Sequence, residues 1–204
     1  MSSFLFHPAT TFVVGAVIPI VVIGILLNSC TPPNTSAATV GHYKDQLSRS
    51  TSTGPAPDSR MEKEGIERFT RFLQNVNKAD YIRENTSKVY APDAFLNDTL
   101  ATHHGAAEIE AYFLKTAESL QEYNVTIDDV ARSGSDHYIR WTMVLTAKAL
   151  SGGTPVHSTG ISQVRLNSAG QVVMHQDFWD SGENFFGKLP VAGGVIGFIR
   201  KRLQ

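Results

Sequence analysis

The chain has a single cysteine, Cys30, in 204 residues. That excludes an intrachain disulfide framework and every metal motif built on paired cysteines. It has no basic excess. Its 18 Lys and Arg stand against 19 Asp and Glu, giving a formal net charge of -1, whereas a nucleic-acid surface concentrates positive charge. No nucleic-acid partner is expected. There is no Walker-type Gly-rich loop, dinucleotide fingerprint or Ser-His-Asp arrangement, so no cofactor is expected. His103 and His104 are adjacent and point apart on an extended segment, and no residue stands at metal-ligand spacing from them. No metal site is expected. Most unusual, no Asp, Glu, Lys or Arg precedes Lys44.

Within that uncharged start, residues 11–27 are almost wholly apolar, and Leu27-Asn28-Ser29-Cys30 and then Thr31-Pro32-Pro33 follow. A run of this length suits a signal-peptide core or a short membrane anchor. The cysteine after a Leu-x-small triplet resembles a bacterial lipobox, which implies that Cys30 is lipidated and becomes the new N-terminus. Asn28 and the lack of Lys or Arg ahead of the apolar run depart from that pattern, so an uncleaved anchor stays open. Either reading expects a domain tethered to a membrane of the bacterial cell envelope, outside the cytoplasm. Residues 31–60 are rich in Ser, Thr, Pro, Ala and Gly and bury too little to offset the entropy of ordering, so they read as a flexible linker. One domain remains, 61–204.

That domain reads as helices first and strands after. Ile66, Phe69, Phe72, Leu73 and Val76 form a helical stripe within 61–78. Asp80 is the expected cap of a second helix running to Val89, stopped by Pro92. A short extended piece is expected over 95–98, and a third helix over 106–120. From there the period changes to two, with strands expected over 124–131, 137–149, 156–167 and 171–180. Ile139, Trp141, Met143 and Leu145 share one strand face. His137 and His157 are expected on outward faces and Arg140 in solvent. The end of the chain, apolar over 191–199 and then Arg200-Lys201-Arg202, reads as a helix. Its apolar side either covers the mouth of the domain or touches an anionic membrane surface. The fold class is α+β: helices packed on a curved antiparallel β-sheet.

The most informative stretch is His175-Gln176-Asp177-Phe178-Trp179-Asp180. On a strand, residues two apart share a face, so His175, Asp177 and Trp179 point one way. An imidazole, a carboxylate and an indole on one face are costly to bury unless hydrogen bonds or a pocket use them. The plainer reading is that His175 and Asp177 bond each other and nearby backbone, and that Asp98 is a turn residue.

Three segments in order carry a family resemblance: Val89-Tyr90-Ala91-Pro92-Asp93-Ala94-Phe95-Leu96-Asn97-Asp98, His104-Gly105 through Tyr112-Phe113, and Val164 through Asp180. Together they resemble the nuclear-transport-factor-2-like superfamily of cone folds, which includes ketosteroid isomerase and the SnoaL-like polyketide cyclases. The resemblance implies that Asp98 stands at the general-base position, Tyr90 at a supporting pocket tyrosine and Trp179 at a cavity-lining tryptophan. It also places Phe72, Phe113 and Ser162 where that isomerase carries its oxyanion-hole tyrosine, the neighbouring tyrosine and a second acid. Phenylalanine cannot donate a hydrogen bond, so isomerisation of ketosteroids by that mechanism is not expected. Thr99 replaces the proline that usually follows the base.

Three functions remain. The leading one is a membrane-tethered domain holding a small apolar ligand in a cone-shaped pocket lined by Tyr90, Trp141, Met143, Ser162 and Trp179. The second is an isomerase, dehydratase or cyclase using Asp98 with His175 and Asp177 as acid and base groups. The third is a non-catalytic interaction module of the envelope, dimerising through its sheet face.

Overall fold

The structure is a computed structural model that describes residues 35–50, 54–147 and 150–203. The proposed signal or anchor, including Cys30, lies outside the described residues. The chain divides into Met1–His42 and Tyr43–Gln204. Of the first unit, residues 35–42 are described and helical; the second carries the sheet and the remaining helices.

Helix α1 (Thr35–Arg49) occupies half of the stretch that composition assigns to a flexible linker. Its C-terminal part is held by three contacts that local composition does not reveal. Tyr43 donates to Gln163 Oε1 at 2.8 Å, its ring meets Phe178 edge-on at 6.0 Å, and Arg165 donates to the Leu47 carbonyl at 2.5 Å. A Ser/Thr-rich segment is ordered here by its tertiary partners.

Helix α2 (Arg60–Leu73) starts at Ser59, whose side chain accepts the Glu62 N–H, a conventional N-cap that satisfies one of the free amides of the first turn. It buries Phe69, Phe72 and Leu73, each contributing about 1.5–3 kcal/mol of hydrophobic stabilisation. Helix α3 (Ala79–Val89) is preceded by Lys78 at the cap position. Asp80 sits in the first turn instead of capping it, where its charge still favours the helix dipole. The helix passes directly into strand β1 (Tyr90–Asn97), longer than the short piece expected. Pro92 explains the change: it pushes the residue before it out of helical geometry, and the pairing of β1 is irregular between Tyr90 and Phe95, where a missing N–H does least harm.

Strand β2 (Thr102–His104) and helix α4 (Ala106–Ser119) follow, then β3 (Leu120–Ser133), β4 (Asp136–Ala147), β5 (Val156–Leu166) and β6 (Val172–Trp179), the short α5 (Ser181–Asn184) and α6 (Pro190–Leu203). The six strands form one curved sheet in the order β2-β1-β6-β5-β4-β3. It is not wholly antiparallel: β1 and β6 pair in parallel, with Leu96 beside His175 and Asn97 beside Gln176. Helices α2, α3 and α4 cover the inner face, and Phe69, Phe72, Ile82, Tyr90, Ile109 and Ile139 form the centre of the core.

One expectation fails at the surface, and so does one of the two alternatives for the last helix. His137 is buried, because it shares the parity of Ile139 and Trp141, and its Nε2 donates to Glu62 Oε1 at 2.8 Å. The apolar side of α6 is not packed over the domain: Val191, Val195, Phe198, Ile199 and Leu203 are all exposed. His157 and Arg140 point outward as expected.

Candidate functional site

Strand register assembles the inner face. Across β5 and β6, Val164 lies beside His175, Ser162 beside Asp177 and Gly160 beside Trp179. Across β4 and β5, Ile139 lies beside Ser162 and Trp141 beside Gly160. The indole of Trp141 lies over Gly160 so closely that a Cβ there would come within 2.4 Å of the ring. That approach, open only to glycine, brings the indole N–H to within 3.0 Å of Ser162 Oγ.

From there the donors run in one direction. Tryptophan only donates, so Ser162 accepts from it and passes its own proton on to Asp177 Oδ1 at 2.5 Å. On the other side, His175 Nε2 lies 2.8 Å from the same Asp177 oxygen. A carboxylate only accepts, so Nε2 carries a proton toward it, and Nδ1 lies 2.9 Å from the Tyr90 hydroxyl, which donates to it in the Nε2–H tautomer. Ser162, backed by Trp141, and His175, backed by Tyr90, thus converge on one oxygen of Asp177. His175 is 1% exposed, with Phe69 packed edge-on at 4.9 Å. Among the described residues no hydrogen bond reaches the other oxygen, Oδ2, and the Asp177 side chain keeps 15% of its surface open.

The surrounding phenols are donors, not bases. Burial, and then the Asp177 charge, push the Tyr90 and Tyr123 hydroxyls well above their ordinary value. Burial, then the charge of Asp98 and its hydrogen bond, do the same for Tyr112, with Asp177 adding to the effect. Tyr112 therefore lies within electrostatic reach of both carboxylates.

Asp98 is nonetheless more fully occupied than Asp177. Its Oδ1 accepts the N–H groups of Leu100 at 2.9 Å and Ala101 at 2.8 Å, its Oδ2 accepts from Tyr112, and its carbonyl accepts the Trp179 indole at 2.7 Å. It closes the β1–β2 turn. Thr99 within that turn has φ of +74°, a conformation costly for a β-branched residue and impossible for the proline that the resemblance led us to compare with it. Its N–H is held by Asn97 Oδ1 at 3.0 Å.

Of the residues singled out from the sequence, His175, Asp177, Ser162, Trp141 and Tyr90 form one continuous hydrogen-bonded chain. Trp179, two residues beyond Asp177 on β6, donates its indole N–H to the Asp98 turn. Met143 stands two residues from Trp141 on β4, half-buried and paired with Val125 on β3. Sequence reasoning missed Tyr112, which reads there as one more member of an apolar helical stripe; its partnership with Asp98 spans 14 residues and leaves no periodic trace. In the structure His103 stacks on Tyr112 at 4.4 Å, while His104 is exposed on the outer side against Phe95. Among the described residues no group of three or more His, Cys, Asp or Glu side chains is placed to hold a metal ion.

The family model of the SnoaL-like domain matches residues 61–175. The chain belongs to the SnoaL-like domain family. The match ends at His175, so Asp177 and Trp179 lie just beyond it. Solved structures agree on the fold, which is the nuclear-transport-factor-2-like cone. A candidate SnoaL-like polyketide cyclase from Jannaschia sp. CCS1 is similar at 18% identity and a TM-score of 0.51, over 60% of this chain and 89% of that one. A protein with a ketosteroid isomerase-like fold from Catenulispora acidiphila, solved with trimethylamine, is 19% identical with a TM-score of 0.52, over 62% of this chain and 95% of that one. An LEH-like epoxide hydrolase from M. tuberculosis is 15% identical with a TM-score of 0.51, over 68% of this chain and 98% of that one. No curated protein matches the chain.

Proposed function

We propose that this SnoaL-like domain is tethered to the membrane by its N-terminal apolar segment and binds a small, largely apolar molecule on the inner face of its sheet. The observation that carries the reading is the contrast at that face. The deep core is closed, yet Tyr112, Tyr123, Ile127, Met143 and Trp179 remain half-buried against it, and the charge of Asp177 reaches Tyr112 and Tyr123. Apolar walls around a few converging polar groups are the usual form of a small-molecule site. The donor chain fixes Asp177 Oδ1, leaving Oδ2 to take one hydrogen bond from a ligand hydroxyl or amine. The Catenulispora protein, solved with trimethylamine, shows a small organic molecule associated with this fold. Tethering rests on the uncharged run of residues 11–27 and Cys30.

One observation favours a second, catalytic reading. Asp177 is backed by an imidazole that is itself backed by a phenol, a relay able to hold a carboxylate oriented while its free oxygen takes a proton. An isomerase, dehydratase or cyclase of this kind would use Asp177 as base, with Asp98 shaping the turn beside it.

Native mass spectrometry of the full chain extracted in mild detergent tests the binding reading. The expected result is a retained molecule in the wild type that is absent from Met143→Trp, whose larger side chain fills the space beside Trp141. An empty wild type that also takes up none of a panel of apolar alcohols and amines overturns it.

A further inference from the structure

We propose that helix α6 is an interfacial element whose apolar stripe lies on an anionic membrane surface. The stripe consists of Val191, Val195, Phe198, Ile199 and Leu203, exposed at 82%, 56%, 59%, 51% and 81%. Their spacing keeps them on one side of a helix. Five exposed apolar side chains in a row on a soluble surface call for a partner.

The orientation is fixed from behind. Gly193 packs so tightly on Gly187 that a Cβ would fall 2.3 Å from the Gly187 carbonyl oxygen, and its N–H donates to the Leu189 carbonyl at 2.8 Å. Arg200 pairs with Glu183 and, at 3.4 Å, with Asp180. By helical geometry Gly193 and Arg200 project on the side opposite Val191, Val195 and Phe198. These anchors hold the back of α6 to the α5 region and turn the stripe outward.

Charge identifies the occupant. From Asp180 to the end, four cations (Lys188, Arg200, Lys201, Arg202) face two carboxylates (Asp180, Glu183), a local +2 in a chain whose net charge is -1. Lys188 and Arg200 are engaged with Glu183, whereas Lys201 and Arg202 form no ion pair among the described residues. Arg202 sits within the stripe, its guanidinium 4.7 Å above the Phe198 ring. A protein partner would have to desolvate that cation along with the stripe. A layer of anionic headgroups pairs with it while the neighbouring rings and aliphatic chains enter the acyl boundary. Gly193, Gly194 and Gly197 weaken the helix in water, so adsorption also adds to its order. This inference is independent of the ligand reading, and its readout is local to α6.

The test uses the full chain reconstituted into vesicles with brominated acyl chains, of phosphatidylcholine alone or with phosphatidylglycerol. In Phe198→Trp, the added indole reports the depth of the stripe whatever the N-terminal segment does. The expected result is bromine quenching of the added emission at least twofold stronger on phosphatidylglycerol vesicles, falling to the neutral-lipid level when Lys201 and Arg202 are changed to Gln. No added quenching on anionic vesicles, or equal quenching on both compositions, overturns the proposal. So does a dimer in crosslinking that Phe198→Ser dissolves, since the stripe would then be a protein interface.

Discussion

His175 and Asp177 stand two residues apart on β6, and their side chains meet on the inner face at 2.8 Å. An intervening Gln176 points elsewhere and binds Asn97 Oδ1 at 2.8 Å, clamping the parallel neighbour β1. The strand thus carries two polar networks, one on each side. The inner one terminates at a carboxylate, and the outer one steadies the strand that leads to the Asp98 turn.

If Asp177 Oδ1 is the common acceptor, its two supporting donors are energetically coupled. Asp177→Ala removes the acceptor on which two protons converge and is expected to cost about 1–3 kcal/mol, and Ser162→Ala about 1 kcal/mol. The double variant should cost clearly less than the sum, because Ser162 has no carboxylate left to serve. Urea unfolding of the four proteins measures this. Strict additivity would show that Ser162 and Asp177 act separately.

Gly160 is required by Trp141. Gly160→Ala places a methyl group where the indole lies, so the ring must leave Ser162. Overpacking of this kind costs about 1–3 kcal/mol. Near-ultraviolet circular dichroism should lose tryptophan fine structure while far-ultraviolet spectra keep the fold. An unchanged aromatic spectrum contradicts the packing described.

The buried Glu62 makes the domain acid-sensitive. Burial alone would raise its carboxyl, but His137, the Asp58 N–H and Arg132 together hold it below its ordinary value. A carboxyl lowered in the folded state stabilises above its unfolded value, and that contribution is lost as pH falls through the folded value. Glu62→Gln is therefore expected to cost most at neutral pH, with the gap to wild type closing below about pH 4.5. A gap of constant size from pH 7 to pH 3 would show that the charge of Glu62 is irrelevant.

The left-handed Thr99 separates this turn from a proline-bearing one. Thr99→Pro cannot reach φ of +74° and loses the N–H that Asn97 accepts, for an expected cost of about 3 kcal/mol. Thr99→Gly relieves the conformation and is expected to be neutral or slightly stabilising. Thermal unfolding ranks the three. A proline variant as stable as wild type would mean that the turn readily adopts another geometry.

How much of this was legible beforehand follows from which signals are local. Period-two alternation located β3 to β6 to within a few residues, and the face shared by His175, Asp177 and Trp179 followed from parity alone. Parity also gave the inward position of His137 beside Ile139, but its histidine chemistry drew the reading outward. The Tyr112–Asp98 bond, the parallel pairing of β1 and the docking of Tyr43 on Gln163 join residues distant in sequence, which no periodicity encodes. The α6 stripe was visible as composition; whether it packs inward depended on Gly193 and Arg200, whose partners lie on other elements.

The central claim is a small-molecule site beside Asp177, and fluorescence titration with a neutral apolar probe, N-phenyl-1-naphthylamine, tests it most directly. The full chain in detergent is titrated beside Met143→Trp and Phe198→Ser. The account predicts one saturable site per chain that quenches tryptophan emission, is abolished by Met143→Trp and is untouched by Phe198→Ser. Saturable binding that survives Met143→Trp, or that vanishes with Phe198→Ser, would contradict it.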